Sequence, residues 1–178
     1  KDIVKAGKTN APILNKRDES RKFSISFSTG QLDGLLSKYF YFGVDLNPSY
    51  QRGLVWPEEE KVRLIDSIFN GIEIGKFAFI HLPFDENGPS YEVLDGKQRL
   101  STLVEFVTDR FRYKGLLFSE MSRADQRYFS GYSVTFGETR EPMPEKDKIE
   151  YFLRLNTGGI PQDQRHLEKL LARLKELS

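Results

Sequence analysis

The chain has 178 residues, 38% of them hydrophobic, which is enough to bury one sizeable core in a single compact domain. Its 27 basic and 26 acidic side chains nearly cancel, so no global field draws it to nucleic acid or acidic surfaces, and any anion contact must come from a local cluster. Zero cysteine removes disulfides, thiolate catalysis and zinc–thiolate sites, and two isolated histidines, His81 and His166, make no histidine-rich metal site.

Residues 1–22 are polar and without sustained periodicity, and are expected as a flexible N-terminal arm ahead of one domain over 23–178. The arm lacks a signal-peptide hydrophobic stretch. No apolar run approaches the ~20 residues of a membrane helix, so a soluble, cytoplasmic protein is expected. "FSISF" alternates Phe23, Ile25 and Phe27 against serines, the period of a half-buried strand. In "STGQLDGLLSKYF", Ser28 and Gln31 read as a capping box before a helix with Leu32, Leu35, Leu36 and Tyr39 on one face. "YFGVDLNPSYQRGLVW" carries Gly and Pro breaks and reads as irregular. Pro57 then opens a helix whose apolar face is Val62, Ile65, Ile68 and Phe69, ended by Gly71.

"KFAFIHL" and "YEVL" are apolar on both alternating sets and predict two strands covered on both faces, separated by the turn "FDENGPS". A helix follows with Leu100, Leu103, Val104 and Val107 at i, i+3, i+4, i+7 spacing. "DRFRYKG" reads as a short strand or hairpin arm, Ser122 as the cap of a brief helix, and "YSVTF" as a strand. Pro144 opens a helix with Ile149, Phe152 and Leu153 inward, interrupted at "NTGG". A last helix aligns Leu167, Leu170, Leu171 and Leu174. Strands and helices mix without strict alternation, which predicts an α+β fold around a small mixed sheet.

Three stretches carry candidate chemistry. In "LDGKQRLSTLVEF" a strand becomes a helix at Asp95-Gly96. The first N–H groups of such a helix lack internal partners and sit at its positive dipole end, a natural phosphate site. Gly96 would leave the backbone open to a ligand, Arg99 could fork onto phosphate oxygens, and Lys97 adds charge. Asp95 would repel phosphate unless it caps the helix, binds Mg²⁺ or orients Arg99. The competing reading is an ordinary capped turn with solvated Lys and Arg. In "NPSYQRGLVW", Gln51 and Arg52 bring polar and cationic groups, and Tyr50 and Trp56 are either stacking surfaces or core aromatics. In "RLNTGGIPQ", Gly158 and Gly159 read as a helix C-cap, and Asn156 is the polar group best placed to reach a ligand.

Together these stretches resemble the N-terminal domain of GmrSD-type restriction proteins, the DGQQR-motif family within the ParB/sulfiredoxin superfamily. The resemblance runs from about Leu46 to Pro161 and takes in "KVRLIDSIFNGIEIGKF". It implies a compact ParB/sulfiredoxin-like domain that binds, and in several members hydrolyses, a nucleoside triphosphate, within restriction and phage-defence systems that sense modified DNA. Asp95, Gly96, Gln98 and Arg99 match DGQQR, and Lys97 stands where a glutamine is usual. Gln51 and Arg52 match "YQR", and Asn156 matches "NTGG". By this resemblance Gln51, Arg52, Gly96, Arg99 and Asn156 would bind nucleotide or phosphate, and Lys97, which departs from the motif, would add its charge to theirs. Asp95 would hold Mg²⁺, and Asp95 or Gln98 would position water. The family's nuclease partner resembles a His-Asn-His domain, for which this chain has no room, so a separate nuclease subunit or DNA is the expected partner.

Two alternatives stand beside nucleotide binding. "DRFRYK" interleaves Arg110, Arg112 and Lys114 with Phe111 and Tyr113, as a nucleic-acid-binding module would, or as an amphipathic strand with one solvated face. The terminal leucine stripe would serve a homo-oligomer of a non-hydrolysing interaction protein, or pack on its own core.

Overall fold

The computed structural model describes residues 23–51, 55–156 and 164–178; the arm, Arg52 and the "TGGIPQD" segment lie outside them. Five strands form one mixed sheet in the order β1-β5-β3-β4-β2. Strand β1 is Ile25–Gln31, β2 Val44–Asp45, β3 Phe77–His81, β4 Tyr91–Asp95 and β5 Ser133–Thr139. Helix α1 is Leu32–Ser37, α2 Glu58–Phe69, α3 Lys97–Val107, α4 Arg123–Gly131, α5 Glu145–Asn156 and α6 Gln164–Glu176. The α+β class with a small mixed sheet is the one expected.

The sheet has a core on each face, and strand alternation divides them. Phe77 and Phe79 of β3, with Tyr91 and Val93 of β4, pack beneath α1 to α4. Ala78, Ile80 and Leu94 point the other way, onto Ile149 and Phe152 of α5 and Leu170 of α6. This is why both alternating sets of "KFAFIHL" are apolar. Helix α3 lays Leu100, Leu103 and Phe106 into the first core with no exposed surface, while α2 adds Leu64, Ile65 and Ile68.

Several local expectations give way to tertiary pairing. Ser28 and Gln31 do not cap a helix. They lie in β1, which pairs antiparallel with β5 from Ile25↔Thr139 to Gln31↔Ser133, and this seven-residue ladder outweighs a capping box. Helix α1 therefore starts later, at Leu32, and runs into a π-helical turn over Lys38–Phe42. Pro57 is the N-cap of α2 rather than its first residue. "DRFRYKG" is no strand: Phe111 and Tyr113 are buried, Arg110, Arg112 and Lys114 are exposed, and mutual backbone bonds between Tyr113 and Leu116 close a tight turn. The aromatics interleaved with its basic residues belong to the core, so they offer no stacking surface.

In α6, Leu170 is buried and Leu174 packs against the second core, whereas Leu171 is 48% exposed, so much of the stripe is used within the chain. Among the described residues no helix is long and apolar enough to cross a membrane.

Ser122 caps α4 as its sequence suggests, its hydroxyl accepting from the Asp125 N–H at 3.1 Å. Replacing it with alanine is expected to lower stability by about 1 kcal/mol. A urea midpoint unchanged in Ser122→Ala would contradict that assignment.

Candidate functional site

Strand β4 becomes α3 through a single residue. Gly96 is the N-cap of α3 and sits in the left-handed region at φ 94°, ψ 17°. A side chain there would be strained by the backbone alone, and its Cβ would come within 2.6 Å of the Phe77 ring. The flank of the turn that glycine leaves bare is therefore occupied by Phe77. The turn requires glycine whatever ligand approaches the other flank.

The Asp95 carboxylate is not the N-cap of α3; it accepts from the Gly96 N–H and faces the Arg99 guanidinium at 3.5 Å, one helical turn on. Burial pushes the Asp95 carboxyl above its ordinary pKa, and Arg99 and the Gly96 N–H pull it back only in part. Arg99 is itself clamped. Its Nη1 donates to the Ile74 carbonyl at 2.7 Å, and its guanidinium lies 4.7 Å from the centre of the Phe77 ring. Gly75, at φ 84°, lets the backbone pass beneath, since a Cβ there would lie 2.6 Å from Nη1. The side chain is only 19% exposed, and burial draws its pKa down against the pull of Asp95. On α5, burial raises the Tyr151 phenol above its ordinary pKa, and the Asp95 charge adds to the shift.

The Tyr50-Gln51 segment is tied to β4 by side chains. Strand β2 is only two residues long, and its parallel ladder with β4 ends at Asp45↔Glu92. Beyond that point the Tyr50 hydroxyl donates to the Val93 carbonyl at 3.0 Å, and Gln51 Nε2 donates to the Val93 and Leu94 carbonyls at 3.1 and 2.9 Å. Two side chains thus meet carbonyls that a longer strand would have met. Gln98 answers from α3, its Oε1 accepting from the Trp56 N–H at 3.2 Å. Tyr50 is buried in the second core and Trp56 packs partly buried against the first, so both aromatics read as core rather than as stacking platforms.

Lys97 turns away from Arg99, towards the loop after β2. Its Nζ donates to Asn47 Oδ1 at 3.0 Å, and the Asn47 N–H donates to Asp45 Oδ1 at 2.8 Å. Desolvation lowers the Lys97 pKa, and Asp45 partly offsets it. Between this loop, α2 and α3 lies a cleft of about 140 Å³ bordered by Asn47, Val55, Lys61, Lys97, Gln98 and Ser101. Lys61 there is also paired with Glu105 at 2.5 Å.

The structure therefore brings Gln51, Asp95, Gly96, Lys97, Gln98 and Arg99 to one end of β4. It divides them, however: Lys97 and Gln98 border the cleft, whereas Asp95 and Arg99 rest against Ile74, Gly75 and Phe77. Arg52 lies outside the described residues. Asn156 is the last residue of α5, and its side chain is not described. Asn47, Lys61, Phe77 and Tyr151 were not singled out in the sequence. Asn47 lies inside the quoted "NPSYQR" stretch and Lys61 and Phe77 at the two ends of "KVRLIDSIFNGIEIGKF", but nothing in their spacing, or in that of Tyr151, marks them as site residues. Among the described residues no group of three or more His, Cys, Asp or Glu side chains could hold a metal ion. Asp95 alone would offer one carboxylate, which suits Mg²⁺ only if phosphate oxygens and water supply the remaining ligands.

The family model described as GmrSD restriction endonuclease, N-terminal domain, matches residues 32–172, well over half of the chain. No curated protein and no solved structure matches it.

Two outcomes follow from the turn. Gly96→Ala combines a left-handed backbone with a clash on Phe77, and a loss of about 1–3 kcal/mol is expected by chemical denaturation. A variant as stable as the parent would show that the turn relaxes freely. Because the folded-state pKa of Asp95 is raised, the folded protein holds that proton more tightly than the unfolded chain does. The contribution of Asp95 to stability should thus fall as pH rises from about 4 through the raised value, then level off. Urea midpoints of parent and Asp95→Asn measured across that range should diverge with this sign; a constant difference would refute the shift.

Proposed function

Because this chain belongs to the GmrSD restriction endonuclease N-terminal domain family, and so to a restriction system, we propose that it is that system's nucleotide-binding domain. Phosphates of a nucleoside triphosphate would lie at the N-terminus of α3. The observation that carries this reading is Lys97: a partly desolvated ammonium held by Asn47 at the rim of a cleft, beside a helix start whose first N–H groups have no intrahelical acceptors. An anion entering there would restore to Lys97 the solvation it has lost, and add a charge-assisted hydrogen bond.

The cleft is smaller than the ~300–1,000 Å³ of typical small-molecule sites, so it suits phosphate groups and leaves the sugar and base to lie outside it. Arg99 would serve as a fixed positive charge behind the turn, since its guanidinium is already oriented by Ile74 and Asp95. Arg52 and Asn156 complete the proposed set. Gln51 supports Arg52's inclusion, because its amide bonds to the carbonyl immediately before Asp95.

Mg²⁺ bound with the nucleotide would neutralise phosphate charge during transfer, with Asp95 as its protein ligand. Hydrolysis is the further step of the same proposal. Gln98, whose Oε1 is oriented by the Trp56 N–H, would place the attacking water. Nuclease chemistry in the phage-defence role would come from another domain or subunit.

Calorimetric titration with a panel of nucleoside triphosphates, with and without Mg²⁺, tests this. Lys97→Ala is expected to weaken binding roughly ten- to a hundredfold, the worth of one charge-assisted hydrogen bond of about 1.5–3 kcal/mol, with an unchanged melting midpoint. Mg²⁺ alone is expected not to bind. Absence of nucleotide binding, or an affinity indifferent to Lys97, would overturn the reading, and binding of duplex DNA with a steep salt dependence would replace it with a backbone-phosphate site.

A further inference from the structure

Strand β4 carries a carboxylate where its neighbours are all apolar. Glu92 is 5% exposed and lies on the face shared with Leu94, towards α5. Its Oε1 is ion-paired with the Lys148 ammonium of α5, which offsets its burial. Tyr50 flanks the same carboxylate. Its hydroxyl lies within hydrogen-bonding reach of Glu92 as well as donating to the Val93 carbonyl, and burial beside that charge pushes the phenol far above its ordinary pKa.

The rest of Tyr50 is held from the helices. Its ring lies 5.9 Å from that of Phe152, one turn beyond Lys148 on α5, and its carbonyl is 3.0 Å from His166 Nε2 on α6. Three motif-bearing segments therefore meet at one buried charge pair: the loop with Tyr50 and Gln51, the strand that runs into Asp95–Arg99, and the helix that ends at Asn156.

A buried ion pair is poor evidence for stability, because desolvation cancels most of its attraction, but it is selective about geometry: an apolar contact can slide where a paired charge cannot. We propose that Glu92 and Lys148 are positioning residues, a joint that registers the Tyr50-Gln51 loop and α5 against β4 so that the three segments present their polar groups to one ligand. The joint is a matter of geometry in the free protein; its effect on ligand rests on the nucleotide-binding reading above.

The test is the double variant Glu92→Gln/Lys148→Met, which removes both charges and leaves neither buried alone. Its melting midpoint is expected to stay near the parent's. The Gln51 amide, bonded to the Pro48 carbonyl in the parent at 3.0 Å, should exchange faster with solvent deuterium, and emission from Trp56, the sole tryptophan, should shift to the red as its loop loosens. Triphosphate affinity should fall roughly tenfold, with Lys148→Arg retaining most of it. If the double variant does not fold, Glu92→Asp, which keeps the charge and shortens its reach, is expected to show the same Gln51 and Trp56 changes in smaller measure. A folded variant with parental Gln51 exchange and parental Trp56 emission overturns the proposal. Should the parent bind no nucleotide, the functional reading falls, and these two solution signals still decide whether the joint exists.

Discussion

Two groups of the strand-to-helix turn rest on one aromatic ring. Phe77 fills the space beside Gly96 where any other residue would carry a Cβ, and its face lies under the Arg99 guanidinium. That ring is fully buried at the start of β3, so the core of the first sheet face fixes where the turn sits and where its arginine points. Ile74 and Gly75, just before β3, complete the seat by offering a carbonyl and the absence of a side chain. The chemistry at the end of β4 is thus set by β3, its antiparallel neighbour.

The same economy governs the other flank. Instead of a long β2, the chain uses a two-residue strand followed by a loop whose Tyr50 and Gln51 side chains reach the β4 carbonyls. Gln98 returns the contact from α3 to the Trp56 backbone. Residues that look in the sequence like ligand contacts are, in the free protein, the bonds that hold two motif segments together. That is no contradiction for a nucleotide site, because groups that must meet a phosphate without reorganising are best fixed beforehand.

Much of this was legible in the chain. Runs apolar on both alternating sets gave β3 and β4, helical spacing gave α2, α3 and α5, and Ser122 marked the start of α4. The failures have a common cause, pairing between segments far apart in sequence. Ser28 looked like a cap until β5, more than a hundred residues on, claimed it as a strand residue. "DRFRYK" looked like a nucleic-acid surface because spacing cannot tell a stacking aromatic from a buried one; Phe111 and Tyr113 are core. At the candidate site, the motif residues gather at one end of β4, but their order does not show the partition within it. Each helix position turns by about 100°, so Lys97 and Arg99, two positions apart, diverge by about 200° and serve different neighbours, which are set by folding. Phe77 and Glu92 were invisible as site residues because one reads as an ordinary core ring and the other as an ordinary strand acid.

The border of the sheet at β4 is closed by side chains, and this limits how the domain can join others. A foreign strand seeking main-chain pairing along Val93 and Leu94 would have to displace a buried tyrosine ring and break three side-chain hydrogen bonds before making one of its own. Assembly by strand annexation is thereby barred along this margin. Larger complexes that include the domain must engage it there through shape and charge at its surface.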